Sequence, residues 1–187
     1  MLYGVLKFSD HPKAVVLKID VSEAEKLSGV ERVFTADDIP GDKKVGLIYP
    51  DWSVMIAEGK TTHYIGDVIA GVVARSEEIA REAVQLIQVE YEVLKAETDV
   101  FSAIEGERVH PEKPNNFNTT KFMIGNADQA LQNSKYVSEG FYETQRVEHA
   151  FLEKEAAVAL PYEDGIHLFS QTQGVYEDKR QIALILG

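Results

Sequence analysis

The chain has 187 residues, a formal net charge of -12, 44% hydrophobic residues and no cysteine. That length and apolar content suffice for one large domain or two small ones with a real core. Lacking cysteine, the chain has no disulfides, thiolate nucleophiles, cysteine-held zinc or iron–sulfur clusters of its own. An excess of 31 acidic over 19 basic residues argues against nucleic acid or an anionic membrane as a partner.

No apolar run approaches the roughly 20 residues of a membrane-spanning helix. The opening MLYGVLKFSDHPK lacks the charged region and apolar core of a signal peptide, so a soluble, cytoplasmic protein is expected. LYGVLKF and AVVLKID are β-rich runs separated by the turn-forming SDHPK and read as two strands. SEAEKLSG predicts a helix with Ser22 as N-cap, Glu25 completing a capping box and Gly29 as its stop. VERVFT reads as a strand, ADDIPGDKK as a turn through Pro40 and Gly41, and residues 45–59 as irregular chain. HYIGDVIAGVVA (63–74) is nearly all apolar, a buried strand pair or one bent strand interrupted by Gly66 and Gly71.

SEEIAREAVQLIQVEYEVL carries the clearest local pattern. Ser76 caps a helix whose first turn holds Glu77 and Glu78, and Ile79, Ala83, Leu86 and Ile87 form its apolar stripe. The helix passes into alternation, with Val89, Tyr91 and Val93 on one face and Glu90 and Glu92 on the other. Strand–helix–strand order over residues 1–105 implies a compact α/β unit. GERVHPEKPNNFNTTK, poor in periodicity, marks a linker over 106–125. A second module occupies 126–187: a helix in NADQALQNS capped by Asn126, a strand in KYVSEGFYETQ, a hairpin of EAAVALP and GIHLFSQTQ around YEDG, and a closing helix in VYEDKRQIALILG. A strand at the very start and a helix at the very end read as an excerpt of a longer chain.

The stretch QRVEHAFLEKEAAVA sets Glu148, His149, Glu153, Lys154 and Glu155 beside apolar neighbours. It has no HExxH spacing, and the next histidine is His167, so a histidine satisfied by a nearby Glu or carbonyl is simpler than a metal site. There is no G-x-S-x-G elbow, no G-x-G-x-x-G and no Walker A pattern. The acidic clusters of SEEIAREA and VEYEV read as solvated faces. The residues alone therefore give an α/β module followed by the beginning of a second one, without a complete catalytic set.

LSGVERVFTADDIPG, HYIGDVIAGVVA and VEYEVL, in this order and spacing, resemble the α/β hammerhead of the molybdenum hydroxylases, the xanthine dehydrogenase and aldehyde oxidase family. EGFYETQRVEHAFLEKEAAVA and SQTQGVYEDKRQIALILG resemble the start of that family's molybdopterin-binding region. The resemblance implies an α+β fold: a hammerhead, then the start of a molybdopterin-binding α+β domain. It implies a molybdenum-pterin cofactor whose metal is held by the organic dithiolene, with iron–sulfur clusters and FAD in partner domains or subunits. The activity implied is hydroxylation of a purine, another N-heterocycle or an aldehyde, with water as oxygen source.

Within this stretch the resemblance places Val147, Glu148, His149, Glu153, Gln173 and Gly174 along the wall of the cofactor pocket, as a hydrogen-bonding frame rather than as metal ligands. Some family members carry a glutamine at the position of Val147 that approaches the metal's oxo group; valine cannot donate that hydrogen bond. The pterin-binding glycine-rich loops and the general-base glutamate are absent from the sequence, so residues 1–187 alone are expected to be inactive. The alternative is a non-catalytic subunit-contact or assembly module that keeps the hammerhead.

Overall fold

The computed structural model describes residues 1–110, 113–116, 118–145, 147 and 156–187. The first stretch contains β1 (Tyr3–Phe8), β2 (Ala14–Asp20), α1 (Ser22–Lys26), β3 (Val30–Phe34), a 3-10 turn at Ala36–Asp38, β4 (Lys44–Val45) and β5 (Trp52–Ser53). β6 (Val68–Ala74), α2 (Glu77–Leu86), β7 (Gln88–Val93) and α3 (Val100–Glu105) follow. Then come α4 (Ala127–Gln132), β8 (Ala157–Tyr162), β9 (Gly165–Ser170) and α5 (Val175–Leu186). The architecture is α+β. The chain divides into two compact units, Met1–Asn115 together with Gly174–Gly187, and Asn116–Gln173.

In the first unit β6 is the organising strand. Its sequence VIAGVVA is apolar on both faces, which suits a position between other elements. It pairs antiparallel with β1 on one side and β3 on the other, Val72 facing Val5 and Val33 across the two ladders. Gly71 lies within the strand without interrupting it. Gly66 belongs to the turn before it, where the Asp67 N–H donates to the Tyr64 carbonyl at 3.2 Å. One strand is therefore present, not a pair.

α2 lies against β1 and β6 and touches α1. Ala70, Val72 and Ala74 of β6 meet Ala80, Ala83, Val84 and Ile87, with Ala24 of α1 and Val33 of β3 completing the cluster. The stripe thus keeps Ala83 and Ile87 of the predicted one, with Ile79 half-buried against the same cluster, and adds Ala80 and Val84, while Leu86 falls outside it. The small Ala80 allows the helix to approach the sheet closely, and the helix ends at Leu86, which is left exposed. The opposite face of β6 presents Ile69 to Val16 and Ile56, fully buried, with Ile19, Val89 and Tyr91 around them. Those last residues come from the separate antiparallel ribbon of β2 and β7.

The caps show which local signals win. Ser76 accepts the Ile79 N–H at 3.3 Å, as its sequence context predicts. Ser22 does not cap α1: it is the first helical residue, and its N–H donates to Asp20 Oδ1 at 3.0 Å. The reciprocal capping box sits instead at Thr35 and Asp38, where the Thr35 N–H donates to Asp38 Oδ2 at 2.8 Å. Gly29 adopts φ +95, the left-handed conformation that favours glycine, and a β-carbon there would also displace the end of the Ile79 side chain, 2.7 Å away.

Asp67 is buried, and its Oδ2 accepts the His63 N–H at 2.5 Å and the Tyr64 N–H at 3.4 Å. Burial alone would raise its pKa; the hydrogen bonds from His63 and Tyr64 outweigh that and hold it below the ordinary carboxylate value. A carboxylate depressed in the folded state stabilises the fold above its unfolded pKa of about 3.9, and that contribution disappears as pH falls through the folded value. Asp67→Asn is expected to flatten the loss of stability below about pH 4, read as urea midpoints from pH 6 to pH 2. Parallel pH profiles for variant and wild type would contradict this role.

In the second unit, α4 is capped by Asn126, whose Oδ1 accepts the Gln129 N–H at 3.0 Å. β8 and β9 pair from Ala157 opposite Ser170 to Tyr162 opposite Gly165, around the predicted turn, with Glu163 at φ 48. Residues 135–145 form no strand. Their alternation has no partner strand among the described residues, and an extended segment with no neighbour to pair with has no ladder to stabilise it. No described helix is long and apolar enough to cross a membrane.

Candidate functional site

The end of β9 and the start of α5 place Gln173 and Gly174, two of the residues expected along the pocket wall. β9 is held in register by β8, and on one face His167 stacks on Phe169 at 4.6 Å while meeting Tyr162 edge-on at 6.0 Å. The Gln171 N–H donates to the Ala156 carbonyl at 3.4 Å, carrying the pairing one step past the strand. Beyond it Gln173 is exposed, its amide bonded to no described residue. Gly174 then turns the chain with φ -145 and ψ 72 and serves as N-cap of α5, its carbonyl accepting the Asp178 N–H at 3.0 Å.

Glu177 and Asp178 occupy the first turn of α5, where carboxylates complement the helix dipole. The same charges disfavour a phosphate at this helix end. The chemistry offered by residues 171–174 is thus that of neutral amides, a hydroxyl and backbone groups.

Val147 is three-quarters exposed and lies outside any helix or strand. Glu148, His149 and Glu153 lie outside the described residues. Of the six expected wall residues, then, the structure brings together only Gln173 and Gly174, neighbours in sequence.

Sequence reasoning missed what anchors α5. The Gly41 N–H donates to the Ile185 carbonyl at 3.0 Å and the Asp42 N–H to the Leu184 carbonyl at 2.7 Å, satisfying carbonyls that end a helix unpaired. Gln181 Oε1 accepts the Gly46 N–H at 3.1 Å, and an Arg180 Nη donates to the Gly46 carbonyl at 3.2 Å while pairing with Glu177. A β-carbon on Gly41 would clash with the Leu184 carbonyl oxygen, so the approach requires glycine. The only signal for this in the sequence was the glycine of DDIPG, which reads there as an ordinary turn.

A polar cluster elsewhere in the first unit joins Asp51, His63, Asp67, His110 and Lys113. Lys113 pairs with Asp51 and holds its carboxyl below the usual range. His110 Nε2 lies 3.8 Å from the same carboxylate, and the His63 and His110 rings stack with centroids 6.5 Å apart. These contacts tie residues 110 and 113 to the body of the unit. Among the described residues no three His, Asp or Glu side chains converge to hold a metal. The amide-rich donor set at 171–174 fits hydrogen bonding to an organic cofactor that carries its own metal, and does not fit direct ligation.

Two family models match the chain in succession: "Aldehyde oxidase and xanthine dehydrogenase, a/b hammerhead domain" over residues 1–95, and "Molybdopterin cofactor-binding domain" over residues 109–187. A probable xanthine dehydrogenase subunit from Bacillus subtilis is 37% identical over 188 residues, covering 99% of this chain and 25% of that protein. The nicotinate dehydrogenase large molybdopterin subunit of Eubacterium barkeri is 30% identical, covering 100% of this chain and 44% of that protein. The crystal structure of the aldehyde oxidoreductase from Desulfovibrio desulfuricans superposes with a TM-score of 0.88 at 26% identity, over 100% of this chain and 22% of that one. The chain thus spans between a quarter and a half of the two relatives' lengths.

Proposed function

We propose that this chain, which belongs to the aldehyde oxidase and xanthine dehydrogenase family, forms the hammerhead and adjoining cofactor-binding portion of a molybdenum-dependent hydroxylase. The observation that carries this reading is the succession of the two family matches along one chain. The whole enzyme's activity is proposed for the assembly that contains the chain: hydroxylation of a purine, another N-heterocycle or an aldehyde. Iron–sulfur and FAD components on partner domains or subunits take up the electrons. When bound, the molybdenum-pterin cofactor supplies two-electron oxidation of a substrate carbon, with water as the source of oxygen.

The chain's own contribution is to hold and orient. Residues 1–105 provide the hammerhead, 106–125 the connection and 126–187 the first part of the cofactor-binding region. Gln173 and Gly174, with Val147, Glu148, His149 and Glu153, line the pocket and fix the cofactor's orientation by hydrogen bonds and contact. Gln173 suits this role because its amide is exposed and bonded to no described residue, leaving it able to donate or accept. Val147 offers only an apolar contact.

The test is metal analysis of two preparations, the protein from its complete gene and residues 1–187 alone. Stoichiometric molybdenum in the first and none in the second after gel filtration is the expected result. A folded, complete protein devoid of molybdenum would sink the enzyme reading in favour of a non-catalytic subunit-contact or assembly module. Molybdenum retained by residues 1–187 alone would overturn the view that this stretch only walls the pocket.

A further inference from the structure

We infer that the loop of residues 41–46 in the hammerhead, acting through Gln181, positions Gly174 at the start of α5. The inference rests on the pocket reading above and concerns how Gly174 is held. α5 has no fully buried residue, so apolar packing alone does not fix it. Its half-buried stripe is Gly174, Glu177, Asp178, Gln181, Ile182 and Ile185, more polar than apolar.

What joins α5 to the loop is a set of hydrogen bonds at one end. Gly41 and Asp42 occupy the Ile185 and Leu184 carbonyls, while Gln181 and Arg180 grip both polar groups of Gly46. Each bond fixes the helix along its axis. A helix is stiff over twelve residues, so a clamp at its C-terminal half sets where its N-terminus lies. Gly174 is that N-terminus. Gln181 is therefore a positioning residue. It touches no reacting group, and it acts through α5 on Gly174, which the pocket reading places along the wall.

A carboxylate can accept the Gly46 N–H as an amide oxygen does, whereas a leucine of similar size cannot. The experiment compares wild type, Gln181→Leu and Gln181→Glu in the protein from its complete gene. It measures hydrogen exchange of the Asp178 and Gln181 amides, molybdenum content, and the molybdenum EPR spectrum after dithionite reduction. Gln181→Leu is expected to speed exchange about fivefold, the effect of one net hydrogen bond. Its EPR line positions are expected to shift at unchanged molybdenum content, and Gln181→Glu to restore both readouts.

Unchanged exchange in Gln181→Leu would show that Gln181 does not hold α5, and would overturn the inference. Faster exchange with unmoved EPR lines would make the clamp merely structural and also overturn it. A wild-type protein without molybdenum would instead sink the pocket reading itself, an outcome distinct from either.

Discussion

Backbone amides of Val68–Ala74 are expected to exchange with solvent on the order of a thousandfold more slowly than those of Ala157–Tyr162 in residues 1–187. The contrast follows from where the apolar surface goes. Every fully buried hydrophobic residue among those described lies between Ala14 and Ile87, and β6 contributes Ile69, Ala70, Val72 and Ala74 to that core. Opening β6 requires taking the core apart, at a cost approaching the total stability of a domain, about 5–15 kcal/mol.

β8 and β9 form a two-stranded hairpin on which Val158, Leu160, Ile166 and Phe169 remain about half exposed. An isolated pair of strands is marginal in water at best. Phe122, Phe141 and Tyr142 of the same unit are also exposed. Each such side chain, once covered, would gain about 1.5–3 kcal/mol. Mass-spectrometric exchange on the monomer reads both segments in one run. Equal protection would mean that the second unit folds unaided, and the proposal that it is only the beginning of a larger cofactor-binding region would lose its physical basis.

Ile69→Ala should destabilise the first unit by about 3 kcal/mol, the second-largest effect expected. Ile69 is fully buried against Val16 and Ile56, in the layer between β6 and the β2–β7 ribbon. Removing most of its side chain leaves a void that the two sheets are poorly placed to close, because each is held by its own ladder. Ile69→Val removes one methylene and should cost about 1 kcal/mol. Urea denaturation of the two variants gives the comparison directly. A cost below that of the valine variant would mean that the ribbon relaxes onto β6, and that the two sheets are less independent than their ladders imply.

The elements governed by short-range rules could be read from the sequence. α2 has a serine with a free N–H three residues ahead to accept, and β7 follows from strict alternation. The β8–β9 hairpin follows from two β-rich runs around a turn sequence. Where two local rules competed, the outcome was not legible. Asp20 and Ser22 both offer oxygens at the start of α1; Asp20 accepts the Ser22 N–H, and the N-cap position falls to Val21, whose side chain cannot cap. Alternation in KYVSEGFYETQ was misleading for another reason, since a strand needs a neighbour and the sequence does not say whether one is present.

The candidate site was legible only through family resemblance. Gln173 and Gly174 carry no spacing that marks a cofactor pocket, and nothing in SQTQG alone distinguishes it from a polar connection. The anchoring of α5 was hidden for a deeper reason. It joins residues 135 positions apart, and half of its hydrogen bonds use backbone groups at both ends. Such a contact leaves almost no pattern in side-chain type beyond one glycine.

Because α5 returns to the unit in which the chain began, Asn116–Gln173 is a guest held between two pieces of a host. Loop closure grows only with the logarithm of length, and doubling the guest would cost about 0.6 kcal/mol. That is no more than a single net hydrogen bond of the α5 clamp, which is worth about 0.5–1.5 kcal/mol. By closure entropy alone, residues added between Asn115 and Gly174 would leave the host's closure nearly untouched.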